Sequence, residues 1–410
     1  MTESLASPTD AQPPGPGDTR RAIELARLIA GQMCLHGAMA GTRMAAPLLA
    51  LKLGYGAWAV GCLLALFSLM QVFLALPAGR YADQHGLKRP VGIALVAAIC
   101  GALLAVAWPR FEVLCVTALC MGGATGSASI ALQRHVGRAA HDATELKRVF
   151  SWLAIGPAAS NFFGPVIAGL LIDHAGIWLG GTAADSTGFR TAFLFMAVLP
   201  LLTWVWIHNT QELQPVVHPE GVPRPQVWHL LREPAMRRLL LVNWLLSSCW
   251  DVHTFVVPVL GHERGFSASV IGAILGSFAV AAACVRVAMP LLAARLKEWV
   301  VVSAAMVITA MLFGIYPLMH APLSMGLCSV LLGLALGSVQ PMIMSTLHQI
   351  TPHALHGQAL GLRLMSINLS SVLMPMLFGT AGMVVGVSVV FWTVGAAVGL
   401  GAHAAWKLRP

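Results

Sequence analysis

Few residues in the long apolar stretches of this chain can do chemistry. Asp251 is the one acid near the centre of such a stretch, and His253 follows two positions later. On a helix that step is about 200°, so the two side chains point to different sides. Arg43, Arg286 and Arg363 also lie inside apolar stretches. Placing an ionisable group at mid-bilayer costs about 2.5–3.5 kcal/mol, so each needs a reason. Asp251 reads as a substrate or proton site, with a structural ion pair to Arg43 or Arg286 as the alternative. Arg43 either lines a cavity or snorkels to the outer head groups, and Arg286 is equally open. Arg363 reads as part of an inner gate or as an interfacial residue. His36, Gln71, Asn161, Asn243, Gln340 and Asn368 are further polar groups at depth. Each either touches a solute or bonds helix to helix. Gln340 precedes Pro341, which removes one helix hydrogen bond and could expose a carbonyl.

No set of residues suggests catalysis. The sequence contains no G-x-S-x-G, H-E-x-x-H or G-x-x-x-x-G-K-[ST], so the chain is expected not to be an enzyme and not to hydrolyse ATP. The eight cysteines all lie in apolar segments, without C-x-x-C or Cys/His spacing. They read as packing residues, and neither a metal nor a cofactor is expected.

The elements that must hold these residues follow from composition. Of 410 residues 57% are hydrophobic and 10% charged, against roughly a quarter charged in soluble domains. That excludes a soluble multidomain enzyme, and continuous apolar runs argue against a transmembrane β-barrel. Hydropathy predicts about twelve helical spans, at 24–50, 56–79, 90–109, 111–133, 149–172, 190–208, 239–261, 269–294, 299–319, 323–347, 360–385 and 387–406. The net charge of +9 then reflects basic cytoplasmic loops rather than nucleic-acid binding. With the N-terminus inside, only Lys52, Arg110, Arg190 and Arg264 fall in outer loops and three arginines within spans, leaving 18 of the 25 basic residues in cytoplasmic segments. Both termini are therefore expected in the cytoplasm. The expected organisation is a disordered tail 1–22, a six-helix bundle 23–208, a proline-rich linker 209–238, a second bundle 239–406 and a tail 407–410. The end of the linker, 227–232, could form a short interfacial helix.

The halves repeat. A shift of 211 residues, the separation of Gly54 and Gly265, also superposes Pro47 on Pro258, Gly61 on Gly272 and Phe67 on Phe278. It places Gly122 and Gly126 on Gly333 and Gly337. Shared Pro and Gly positions are matches of backbone geometry rather than of general greasiness. Two related bundles can rock about a site held between them.

The turn Gly79-Arg-Tyr-Ala82-Asp83-Gln-His-Gly86-Leu87-Lys88-Arg89 resembles the G-x-L-A-D-x-x-G-R-K signature of the major facilitator superfamily. Gly79, Ala82, Asp83, Gly86 and Lys88 match, Arg89 adds a base, and Tyr81 and Leu87 depart from the pattern. The resemblance implies an all-α membrane protein of twelve transmembrane helices in two pseudo-symmetric six-helix bundles. It also implies that Gly79, Asp83, Gly86, Lys88 and Arg89 form a conformational latch toward span 11, which carries Arg363, with Arg134 or Arg138 as partners of Asp83. The matching turn after span 8 has Ala294 where Asp would stand. In span 5, Gly164-Pro165-Val-Ile-Ala168-Gly169 is similar to an element of the drug/proton antiporter branch. Gly164, Pro165 and Gly169 would bend that helix, whereas the span 4 arginine of that branch is replaced by Ala118.

The expected function is secondary active transport of a small organic solute across the inner membrane, as proton-coupled export. Proton-linked uptake of a metabolite or organic anion on Arg43 or Arg286 is the alternative, and a non-transporting receptor or scaffold a third. Asp251, Arg43, His253, Gln340, Asn161 and Arg286 are the expected substrate and proton site. The expected partners are the solute, protons and the bilayer, with no nucleic acid, and the chain is expected to be monomeric.

Overall fold

The structure, a computed structural model, describes residues 16–55, 57–140, 142–178, 186–213, 227–266, 268–293 and 295–409. Among them there are helices and no strand. The order is α1 (Pro16–Lys52), α2 (Ala57–His85), α3 (Lys88–Ala107), α4 (Phe111–Ala139), α5 (Ala143–Leu153), α6 (Ile155–Trp178) and α7 (Thr187–Ile207) in the first half. After the short α8 (Val227–Leu230) come α9 (Pro234–Glu263), α10 (Ala268–Leu292), α11 (Glu298–Ile315), α12 (Pro322–Ile350), α13 (His356–Val385) and α14 (Val387–Trp406). Nine stretches among the described residues are long and apolar enough to cross a membrane. The helices outside that set include α1, α9 and α13, which carry Arg43, Asp251 and Arg363. Large apolar side chains face outward, among them Leu291, Leu400, Leu323 and Phe73, as lipid-facing helices require.

Two boundaries differ from those the sequence suggests. The first helix begins at Pro16, so Arg20 and Arg21 sit on it rather than in a loose tail; residues 1–15 lie outside the described part, as do 214–226 of the linker. The fifth span is two helices with a break at Ala154. Asp142 starts the first of them by accepting a hydrogen bond from the Glu145 amide at 2.7 Å, an N-cap that satisfies one of the free amides of the first turn. The second, α6, is unbroken through Pro165.

The repeat is visible in the packing. α2 packs on α4 as α10 packs on α12, α3 on α7 as α11 on α14, and α1 on α7 as α9 on α14. The contacts coincide residue by residue. Any Cβ on Gly122 would collide with the Phe67 carbonyl, and any on Gly333 with the Phe278 carbonyl. Gly126 sits against Gln71, and Gly337 against Ala282, pairs related by the same shift. Gly54 and Gly265 both take positive φ, 88° and 73°. Backbone-to-backbone approach of this kind is how membrane helices gain dispersion energy without a hydrophobic drive between them.

The described ends of the chain lie on one face of the bundle. Glu24 near the start of α1 accepts from the Gln211 amide just beyond α7, and Arg238 near the start of α9 reaches the Lys407 carbonyl. We call this the termini face and the opposite one the far face.

Candidate functional site

Asp83 ends α2 at the termini face and is buried. Its Oδ1 accepts from Arg134 Nε at 2.6 Å and from the Gly357 amide at 2.9 Å, and its Oδ2 accepts from the Gln358 amide at 3.1 Å. Arg134 Nη2 also donates to the Asp83 carbonyl at 3.1 Å. A carboxylate at a helix N-terminus takes up free amides and favours the positive end of the dipole. One side chain thus ties α2 and α4 of the first half to α13 of the second. The helices come that close only because Gly79 and Gly357 face one another; a Cβ on either would meet the carbonyl of the other. Arg80 Nε adds a donation to Gln358 Oε1 at 3.4 Å. Gly86, at φ 77°, turns the chain into α3, whose first amides, Leu87 and Lys88, donate to Glu212 Oε1 at 2.8 and 3.0 Å.

Of the residues the sequence grouped here, Asp83, Gly79 and Gly86 occupy the contact, and Arg134 is the direct partner. Arg138 is held within electrostatic reach of Asp83. Lys88 and Arg89 are not brought to Asp83: their side chains form no ion pair among the described residues, and Arg89 is exposed. Both lie past the Gly86 turn, at the start of α3. Arg363 is likewise not part of this contact; it is buried further along α13, and its Nε has no partner. The opposing turn Ala294 lies outside the described residues. Gly357, Gln358 and Glu212 were not anticipated from sequence, because backbone amides and a loop glutamate carry no residue-type signal.

A second contact closes the same face. Lys147 on α5, also buried, donates to the Leu296 carbonyl at 2.7 Å and stands 3.7 Å from Glu298 Oε1. Glu298 in turn accepts from Ser345 Oγ and Gln349 Nε2. Nearby, the His348 ring fills the space over Gly137, 5.0 Å from Phe150, and meets His356 at 3.2 Å between their Nδ1 atoms. The contacts between halves run mainly through α2, α4 and α5 on one side and α10, α12 and α13 on the other. By contrast no comparable packing joins α1 to α9 among the described residues. The termini face is shut, while the helices carrying Arg43 and Asp251 stand apart.

Those two residues interact electrostatically across the seam between the halves. They form no direct ion pair within 4.0 Å. Arg43 is exposed and Asp251 half-buried. Asp251 Oδ2 accepts weakly from Ser370 and Ser371 of α13, at 3.4 and 3.5 Å, and Ser370 also pairs with Ser248 at 3.0 Å. The serines, absent from the sequence reading, have no signal beyond their helix register. Asn161 is exposed on α6 and bonds to the His36 ring of α1. Behind α1, within the first half, His36 and Gln32 border a cavity of about 10 Å³, room for about one water. Their Nδ1 and Oε1 atoms are buried there without a partner.

Three expected members stand elsewhere. His253 is buried inside the second half, stacked on Phe278 at 4.1 Å, with Nε2 2.9 Å from Ser329 Oγ. This corrects its grouping with Asp251 and follows from the 200° step between them. Arg286 lies over the Trp250 ring at 5.4 Å with its Nε unpartnered; the charge that Asp251 senses is Arg43. Gln340 is half-buried on α12, which runs unbroken through Pro341. Gly164 serves close packing, since a Cβ there would lie 2.6 Å from the Gly37 carbonyl of α1. Gly169 faces Met44 of the same helix.

The sequence profile described as Major Facilitator Superfamily matches residues 28–375 and, separately, 239–410. The chain belongs to the Major Facilitator Superfamily. Its members are transporters, so this chain is a multi-pass membrane transporter of that superfamily's fold, with two pseudo-symmetric six-helix bundles. Solved superfamily structures superpose over nearly the whole chain at low identity. A bacterial homologue of the iron transporter ferroportin in an outward-facing state matches at TM-score 0.77 and 15% identity, over 94% of this chain and 99% of that one. FucP in its outward conformation matches at 0.77 and 15%, over 94% and 98%. The human organic anion transporter MFSD10 matches at 0.74 and 15%, over 96% and 100%. At that identity they share the fold. No curated protein sequence matches this chain.

Proposed function

We propose that this superfamily member carries a small organic anion together with a proton, by alternating access, as a monomer in the inner membrane with both termini in the cytoplasm. The observation that carries the reading is the Arg43–Asp251 relation: one charge from each half, in electrostatic reach but not in an ion pair, on helices with little packing between them among the described residues. With Asp251 ionised, Arg43 is partly neutralised by it. A proton on Asp251 removes that competition and leaves the guanidinium to an anionic solute, so the two bind together. Anion and proton then cross in the same direction, and an inward proton gradient drives uptake. Arg286 and Arg363, also without an ion-pair partner among the described residues, stand apart from this pair, Arg286 over the Trp250 ring and Arg363 buried along α13. Asn161, exposed on α6, supplies a neutral contact.

Proton-coupled export by antiport is the second reading, carried by the Gly164-Pro165 element of α6. There the solute would replace the proton on Asp251, which suits a cation. The two readings separate in proteoliposomes with an imposed pH gradient and a panel of organic anions and cations. The proposal expects an anion to enter with protons, and Asp251→Asn to abolish accumulation against a gradient while solute exchange persists. Protons moving opposite to a cationic solute would establish export instead. Gradient-driven accumulation unchanged in Asp251→Asn would remove Asp251 from the coupling.

A further inference from the structure

Away from the central seam, the outer surface of the second half carries a groove of about 460 Å³ between α9 and α14. Its apolar walls are Leu241 and Leu245 of α9 and Leu400 of α14. It exists because α14 presents Ala397 and Gly401 to α9; a Cβ on Gly401 would already lie 2.5 Å from Leu245 Cδ1. Three basic side chains, Arg238, His403 and Lys407, stand at one end of the groove. Arg238 Nη1 donates to the Lys407 carbonyl at 3.3 Å, which draws the two charges together. Among the described residues, no carboxylate forms an ion pair with either.

The depth of this basic end is marked by aromatic residues. Trp406, half exposed, packs edge-on against Trp299 at 4.8 Å between ring centroids. Tryptophans at span ends sit at head-group level, so Arg238 and Lys407 lie there too. Leu400, 82% exposed, lies about two turns deeper, at acyl-chain level. Basic end and apolar floor therefore match the two parts of one amphiphile in register with the bilayer.

We propose that this groove is a binding site for an anionic phospholipid, with its phosphate on Arg238 and Lys407, His403 beside it, and one acyl chain along Leu241, Leu245 and Leu400. Charge selects this occupant. Pockets with uncompensated bases between membrane helices favour anionic head groups. A zwitterionic lipid brings its own cation to the same place. A second copy docked here about a twofold axis would set like charges against one another.

Native mass spectrometry of the purified full chain tests the assignment with phosphatidylglycerol, chain-matched phosphatidylcholine and glycerol 3-phosphate as probes. Phosphatidylglycerol is expected to stay bound preferentially, and R238Q/K407Q to lower its occupancy about five-fold for each base removed. Ala397→Phe, which fills the trough and leaves the charges, is expected to lower it as well. Equal retention of phosphatidylcholine, displacement of the lipid by glycerol 3-phosphate, a second chain in place of lipid, or full occupancy in both variants would each overturn the proposal.

Discussion

The two contacts that shut the termini face occupy related positions in the repeat, yet they are built with opposite polarity. In one, the Asp83 carboxylate on the first half accepts from the Gly357 and Gln358 amides at the start of α13. In the other, the Lys147 ammonium at the repeat equivalent of Gln358 donates to the Leu296 carbonyl and faces Glu298. Ser345 takes the place of Arg134 and bonds to Glu298. The first is a closed charge set, with side-chain exposures of 2% and 4% for Arg134 and Asp83. The second is looser, at 7% and 18% for Lys147 and Glu298. Duplication preserved the place where the halves meet but not the chemistry that joins them. Removing a partner from a fully buried, directly bonded pair leaves a stranded charge and costs about 3–5 kcal/mol, whereas the Lys147–Glu298 pair is longer, at 3.7 Å, and its carboxylate keeps some contact with solvent. The first contact should therefore dominate the stability of the closed face.

That inequality can be broken in order of size. Asp83→Asn strands Arg134 and should weaken the closed termini face by about 3–5 kcal/mol. Cross-linking across that face between cysteines at exposed Gln84 and Arg295 should slow accordingly. Unchanged cross-linking would mean that Gly79–Gly357 packing alone holds the face. Lys147→Gln keeps a donor for the Leu296 carbonyl and loses only the longer pair with Glu298, which should cost about 1 kcal/mol; an effect as large as that of Asp83→Asn would erase the ranking. Lys88→Gln with Arg89→Gln should shift the same cross-linking by less than about 0.5 kcal/mol, as surface substitutions do. A larger loss would restore those bases to the latch.

Much of this was legible in the sequence, for physical reasons. Residues whose role is steric, such as Gly79, Gly122 and Gly333, announce themselves because no other type fits. Asp83 and Asp251 stand out because buried charge is costly. The separation of Asp251 from His253 follows from helix geometry. What was not legible depends on partners without a side-chain signature. The Leu296 carbonyl, the Gly357 and Gln358 amides and the serines around Asp251 look like ordinary residues in a linear reading. The break at Ala154 is marked by Gly156-Pro157, since Pro157 lacks the amide that the Leu153 carbonyl would need, but hydropathy runs straight across it, and the Pro165 that suggested a bend lies within an unbroken helix.

Alternating access in this chain requires that the closed termini face open as the far face closes. Spin-label distance measurements test this most directly, with one pair at Gln84 and Arg295 and another at Leu53 and Leu318 on the far face. In wild-type protein the first pair should be short and the second long, and Asp83→Asn should lengthen the first while shortening the second. Both distances moving in the same direction, or neither moving, would contradict alternating access through these contacts.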